Sequence, residues 1–253
     1  LALERQPEAK VSGCRAVKTN FDEKTQAENR KETQREAEWM RIAPPDLPLR
    51  LETDVSLEEV LSMTAARDAP LEGFAFHGAD GSAAQLSQLE VRFCTFTACR
   101  FTAAELKGAS FRCVRFKSCD FSAVRGMEMS FTQCAFDGCK LAGANFAAGA
   151  WNDVSLAACS AGDAVWAECL LKNVSFADSL LPRAVFSDLR PRSAFAFERC
   201  DLRAAEFCHT PLKGQDLTTC DIDGLCVTDG VLQGARVTAL QACELAKLLG
   251  VII

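Results

Sequence analysis

The sequence predicts an all-β solenoid of about 7–8 square coils, with small helical caps at both ends. Three observations carry that expectation. Large apolar residues recur at every fifth position from Val91 to Val237. A series of mostly small residues runs two positions ahead of them. Neither the 3.6-residue period of a helix nor the 2-residue period of a flat strand fits this spacing.

The large series runs Val91, Phe96, Phe101, Leu106, Phe111, Phe116 and Phe121, and continues by fives to Phe186. Only Gly126 and Ala161 break it. It slips by one residue and resumes from Phe197 to Val237. The small series holds nine of the fourteen cysteines, among them Cys94, Cys99, Cys119, Cys139 and Cys159. Two inward residues in each five require the chain to turn a corner after every repeat. Four corners close a square coil of 20 residues. Stacked coils then pair as parallel strands, rising ~4.8 Å each.

The segments CTFTACRFTAAELKGASF, SFTQCAFDGCKLAGANF and ERCDLRAAEF resemble the pentapeptide-repeat family. The resemblance covers residues 71–237 and implies a right-handed quadrilateral β-helix. This chain departs from the family in using Cys or Val where Ala is frequent, and Phe where Leu is frequent. It is similar to a Cys- and Phe-rich branch with a C-terminal helical cap, which here ends VTALQACELAKLLGVII.

Residues 20 apart stack on one side, so Cys99, Cys119, Cys139 and Cys159 form a column continued by Ser179, Cys200 and Cys220. A redox or metal ladder is one reading of it; a small hydrophobe in a tight interior is the favoured one. Cys113, Cys208 and Cys226 fall outside the inward series and are expected at the surface, and Cys14 lies in the N-terminal extension.

The flanks and the slip complete the layout. Residues 1–39 carry 8 acidic and 8 basic side chains and few apolar ones. They read as a disordered or loosely helical extension, or as residues upstream of a natural start at Met40. Residues 40–70 form an N-terminal capping unit. In it, 47–53 suggests a short strand, and the Ser56/Glu59 capping box starts a helix reaching Arg67. The slip at SDLRPRSAF reads as a small corner loop, and Asp188, Arg190, Pro191 and Arg192 are its candidate interaction residues. Residues 238–253 form the second cap. Thr238 caps a helix carrying Leu240, Leu245, Leu248 and Leu249, which stops at Gly250 and seals the last coil. The apolar Val251, Ile252 and Ile253 either pack on the cap or meet a second subunit. Leu248, Leu249, Val251, Ile252 and Ile253 are the candidate dimer end, because the resemblance implies C-terminal dimerisation.

Composition narrows the function classes. No apolar run approaches the ~20 residues of a membrane span. The chain opens on no secretory leader, so a cytoplasmic location is expected. The net charge is -6, and residues 90–237 carry 17 acidic against 16 basic side chains. That leaves no basic stripe for nucleic acid. It also leaves no sustained acidic surface. Two histidines, His77 and His209, have no partnered nucleophile in the sequence, and no CxxC, P-loop, GxSxG or HExxH occurs. Asp120, Asp137, Asp201, Asp216 and Asp221 read as corner residues bonding turn amides. No catalytic residue, cofactor or metal is therefore expected. The reading that follows is a non-catalytic rigid scaffold for an unknown protein partner, without direct nucleic-acid or membrane binding, and with a homodimer through the C-terminal end. Two alternatives stand beside it. The resemblance offers a DNA-mimic, gyrase-binding quinolone-protection protein, and the cysteines offer a redox sensor.

Overall fold

Each repeat forms one side of a square because its last residue turns the chain. In the computed structural model, Phe93, Ala98, Ala103 and most of their non-glycine equivalents in the five-residue series adopt φ between 48° and 61°. For a residue with a β-carbon this left-handed conformation costs about 1–2 kcal/mol. The ladder offsets it, because the same residues donate to the next coil: Ala98 N to Lys117 O at 2.8 Å, Ala103 N to Ser122 O at 2.9 Å. The chain divides into two units, Leu1–Trp39 and Met40–Ile253. The structure describes residues 42–248 except 54, 68, 194 and 229, and not the side chains of 63–67. The extension at 1–39, Cys14, Met40, Leu249, Gly250, Val251, Ile252 and Ile253 lie outside the described residues.

The result is a right-handed quadrilateral β-helix of about eight coils. All four sides pair in parallel. On the first, Val91 aligns with Phe111, Phe131, Trp151 and Leu171. On the second, Phe76 aligns with Phe96, Phe116, Phe136, Leu156, Phe176 and Phe197. The third side is held by single bridges such as Arg100–Asp120 and Asp120–Lys140. On the fourth, Trp166, Phe186, Phe207 and Val227 follow in register. The offset is 20 residues up to the slip and 21 across it, where Phe176 meets Phe197.

Both inward series are buried as far as Leu225; in the last coil Val227, Leu232, Ala235 and Val237 are half-buried, Gly230 is exposed, and Val231 is buried instead. Rings stack along the axis, with Phe96–Phe116 centroids at 5.4 Å and Phe116–Phe136 at 4.8 Å. The two breaks in the large series have a volume explanation. Gly126 shares its coil with Phe111, Phe116 and Phe121, and Ala161 shares its coil with Trp151 and Trp166. Each square layer therefore trades one small corner for bulk elsewhere. The tryptophans exact a cost: neither buried indole N–H has an oxygen or nitrogen acceptor.

The small column works through its polar atoms as well as its size. Cys119 Sγ donates to Phe96 O at 3.3 Å, Cys134 to Phe111 O at 3.4 Å, and Cys169 to Phe146 O at 3.1 Å. Each thiol thus ties its coil to the preceding one. At Ser179 the hydroxyl accepts from Cys159 N at 3.0 Å and donates to Ala177 O at 2.8 Å. Ser179→Ala leaves that buried N–H without its partner. It is expected to cost about 1–3 kcal/mol in urea unfolding. Ser179→Cys should cost less, since sulfur still accepts weakly. Equal stability of Ser179→Ala and wild type would show that the hydroxyl bond contributes nothing.

The one-residue slip falls between Pro191 and Phe195, where Arg192 and Ser193 form a bend. Arg190–Pro191 stays flush as a short strand paired with Leu170–Leu171. Pro191 takes a position that is inward in every neighbouring coil, yet it is exposed. Leu189 and Phe195 on either side of it are large residues in the usually small series, and both are buried. Beyond this strand the ladder opens. Among the described residues no backbone hydrogen bond links 190–193 to 211–214. Pro191 and Pro211 each lack the N–H that would bridge that seam.

Three sequence expectations need correction. Residues 47–53 contribute one bridge, Glu52 to Phe74, and no strand, because this stretch meets the sheet only at its edge. Cys113 is buried, not exposed: Asp46 lies against it and Gln133 accepts from its thiol at 3.4 Å. The helix Ala239–Leu248 (α2) buries no residue fully, and Leu240 is 75% exposed. Its contact with the last coil runs through Gln241, whose Nε2 donates to Leu217 O and Cys220 O, and through partly buried Leu245. The first helix, Leu57–Arg67 (α1), matches its expectation. Ser56 and Glu59 form the reciprocal capping box, and Leu57 and Val60 cover the first coil.

Candidate interaction surface

Among the described residues, side chains fill the interior of the coils. A cavity of about 10 Å³ lies among Leu57, Leu71, Leu86 and the neighbouring phenylalanines. That is at most the space of a single water. Chemistry and recognition must therefore use the outer faces and the two ends.

The corners are built as the aspartate spacing implied. Asp120 accepts from Ser122 N at 2.9 Å, Asp201 from Arg203 N at 3.0 Å, Asp216 from Thr218 N at 3.0 Å and Asp221 from Asp223 N at 3.2 Å. Asp137 instead sits exposed at the end of the strand Ser130–Asp137. Opposite charges also stack one coil apart: Arg100 on Asp80 at 2.8 Å, and at the turning residues Arg183 on Asp163 at 2.7 Å and Arg199 on Asp178 at 2.6 Å. The guanidinium of Arg183 holds the Asp163 carboxyl below its usual range, and Arg199 does the same to Asp178. These pairs are solvent-exposed and contribute little each.

His77 is exposed on the second side. It lines an open groove of about 550 Å³ beside α1 with Ser56, Asp80, Thr95 and Thr97. His209 Nδ1 lies 3.3 Å from Asp188 Oδ1 at an exposed corner. A second open groove, about 620 Å³, runs between Thr218–Asp223 and α2 and is lined by Leu240, Gln241 and Glu244. Among the described residues, no group of three or more His, Cys, Asp or Glu side chains converges to hold a metal.

Of the candidate interaction residues, Asp188, Arg190, Pro191 and Arg192 are all exposed. Asp188 is engaged by His209. Of the candidate dimer end only Leu248 is described, and it is 50% exposed on α2. Sequence reasoning missed Lys172 and Lys213, which flank the arginines one coil to either side. The signal was available as a 20-residue spacing on the first side, 21 across the slip.

Ten of the thirteen described cysteines are buried. Burial pushes Cys94 up to about 11, and Cys134 and Cys169 up to about 12. Cys200 is pushed up by its neighbour Cys220 one coil away and then by burial, and the same contact lowers Cys220. Cys226 and Cys243 are exposed and Cys208 half-buried. In thiol titration of the native protein, Cys226 and Cys243 should react first and Cys208 more slowly. The buried ten should wait for denaturant. Fast labelling of Cys119 or Cys139 in folded protein would remove the structural account of the column.

Residues 92–125 match the family model for pentapeptide repeats, in 8 copies. No curated protein matches the chain. Among solved structures it is similar to trypsin-treated QnrB1, a plasmid-mediated fluoroquinolone resistance protein. Identity is 20% over 73% of this chain and 91% of that one, with a TM-score of 0.36. It is also similar to HetL, a pentapeptide repeat protein involved in heterocyst differentiation regulation from the cyanobacterium Nostoc sp. strain PCC 7120. There identity is 18%, covering 72% and 96%, with a TM-score of 0.28. A third is Rfr23, a pentapeptide repeat protein from the cyanobacterium Cyanothece 51142, at 9% identity, 72% and 100% coverage and a TM-score of 0.18.

Proposed function

We propose that this chain, a pentapeptide-repeat protein, is a non-catalytic rigid scaffold that presents side chains on a square rod to a protein partner. The observation that carries the reading is the filled interior. Among the described residues the coils from Leu71 to Leu225 are closed by buried apolar side chains, so what they offer another molecule is surface. The ladders hold that surface at fixed ~4.8 Å intervals, so a partner meets it at little ordering cost.

The charge arrangement favours this reading over imitation of DNA. A mimic needs a continuous row of anions. Here Asp80, Asp163, Asp178 and Asp216 each meet an arginine one coil away. The slip residues Arg190, Pro191 and Arg192 belong to the proposed contact surface. The C-terminal end from Leu248 onward is the proposed homodimer contact, where half-exposed Leu248 supports an apolar surface.

The test is capture of a partner from the native extract, then reconstitution from purified components in an analytical ultracentrifuge. A complex of fixed stoichiometry with unmodified components is expected. Chemical turnover of a captured small molecule, or no complex with any purified candidate, overturns the scaffold reading. Sedimentation of Leu248→Glu beside wild type tests the dimer end, with loss of a dimer expected.

A further inference from the structure

We propose that the first side of the rod between Lys172 and Lys213 binds an acidic, partly apolar, extended segment of the partner protein. This rests on the scaffold reading and names the partner's chemistry. Lys172, Arg190, Arg192 and Lys213 stand together on that side. Arg192 N donates to Leu171 O at 2.7 Å, which sets Arg192 one rung beyond Lys172. The register that pairs Phe186 with Phe207 carries Lys213 one rung further. Three rungs span about 10 Å at ~4.8 Å each.

All four cations are exposed, and none has an ion-pair partner among the described residues. Elsewhere on the rod, Arg100, Arg125, Arg183, Arg199, Arg203 and Arg236 each meet a carboxylate, while Arg112, Arg115 and Lys117 are exposed without one among the described residues and lack the prolines that accompany the cations of this face. A cluster of unanswered cations therefore sits in a protein of net charge -6. Three acids border it, Asp188 beside His209, Asp153 accepting from the Asn173 amide at 2.8 Å, and Glu168 at the corner, and none of them forms an ion pair with the four cations.

The same face carries apolar surface. Pro191 and Pro211 are exposed on either side of the open seam, and Leu170 is half-exposed. Carboxylates that alternate with apolar side chains fit this mixture. A nucleic-acid strand fits it less well. It would extend past four cations into Glu168 and a net negative chain, and the aromatic rings it would stack on are interior at Phe176, Phe195 and Phe197.

The experiment uses full-length protein and a fluorescent synthetic peptide of repeating Glu-Glu-Leu, with a short single-stranded oligodeoxynucleotide as the second probe. Fluorescence anisotropy should show saturable peptide binding that weakens with salt. Arg190→Glu/Arg192→Glu should weaken it at least about tenfold. Arg115→Glu/Lys117→Glu makes the same charge change on the second side and should cost less than about twofold. Both pairs are exposed, and thermal melts by circular dichroism check that the variants fold. Equal losses in the two variants, absence of peptide binding, or tighter binding of the oligonucleotide overturns the proposal. A purified partner that Arg190→Glu/Arg192→Glu retains at full affinity removes this face but leaves the scaffold standing. Absence of any partner removes both.

Discussion

Phe116→Ala is expected to lower the stability of the repeat unit by about 3–5 kcal/mol in urea unfolding. The ring is 1% exposed and sits at the centre of the aromatic column. It stacks on Phe96 at 5.4 Å and Phe136 at 4.8 Å, and meets Phe111 and Phe121 edge-on at 5.5 and 5.1 Å. Four rings therefore lose a partner at once. The layer cannot collapse to fill the gap, because the ladders on all four sides fix its dimensions. Solenoid topology adds a second consequence. Coils contact only their neighbours, so no distant element bridges a weakened layer. Hydrogen exchange in Phe116→Ala should show the coils from Leu71 to Leu106 opening apart from those beyond Phe136. Phe116→Leu keeps most of the volume and should cost about 1 kcal/mol. A loss below about 1 kcal/mol for the alanine variant would mean that the layer relaxes, contrary to a ladder-fixed frame.

The period of five was enough to read the square section, the inward series and the corner aspartates, because each rests on contacts that repeat from coil to coil. Phe96 has the same surroundings as Phe116, so one repeat predicts the next. Features that depend on a single non-repeating contact were out of reach. Cys113 is outward by its position in the repeat, and Asp46, 67 residues earlier, lies against it beside Gln133 of the next coil. Leu240 and Leu245 both read as apolar positions on a capping helix, but the angle of α2 turns Leu240 to water. The interaction surface was half legible. Arg190 and Arg192 stood out because they interrupt the period. Lys172 and Lys213 keep to it, and they join the arginines only once the coils are stacked.

Gly126 and Met129 provide a test of layer balance. A β-carbon at position 126 would lie 2.3 Å from Met129 Sδ and 3.1 Å from the Asn145 carbonyl oxygen. Met129 is 1% exposed and occupies the small series, where its length reaches into the corner that glycine leaves free. Gly126→Leu restores the large residue that the period asks for, yet it should destabilise by about 1–3 kcal/mol by overpacking. Met129→Ala alone opens a cavity and should cost about 2–5 kcal/mol. The double variant exchanges the two volumes. Its cost should fall short of the sum of the single changes by about 1–3 kcal/mol. Part of the cost persists, because the Asn145 carbonyl belongs to the ladder and moves less than a thioether. Additive losses within about 0.5 kcal/mol in a double-mutant cycle would show that the two sites fill separate spaces. The glycine would then need a backbone explanation, and the coils would no longer be layers of matched volume.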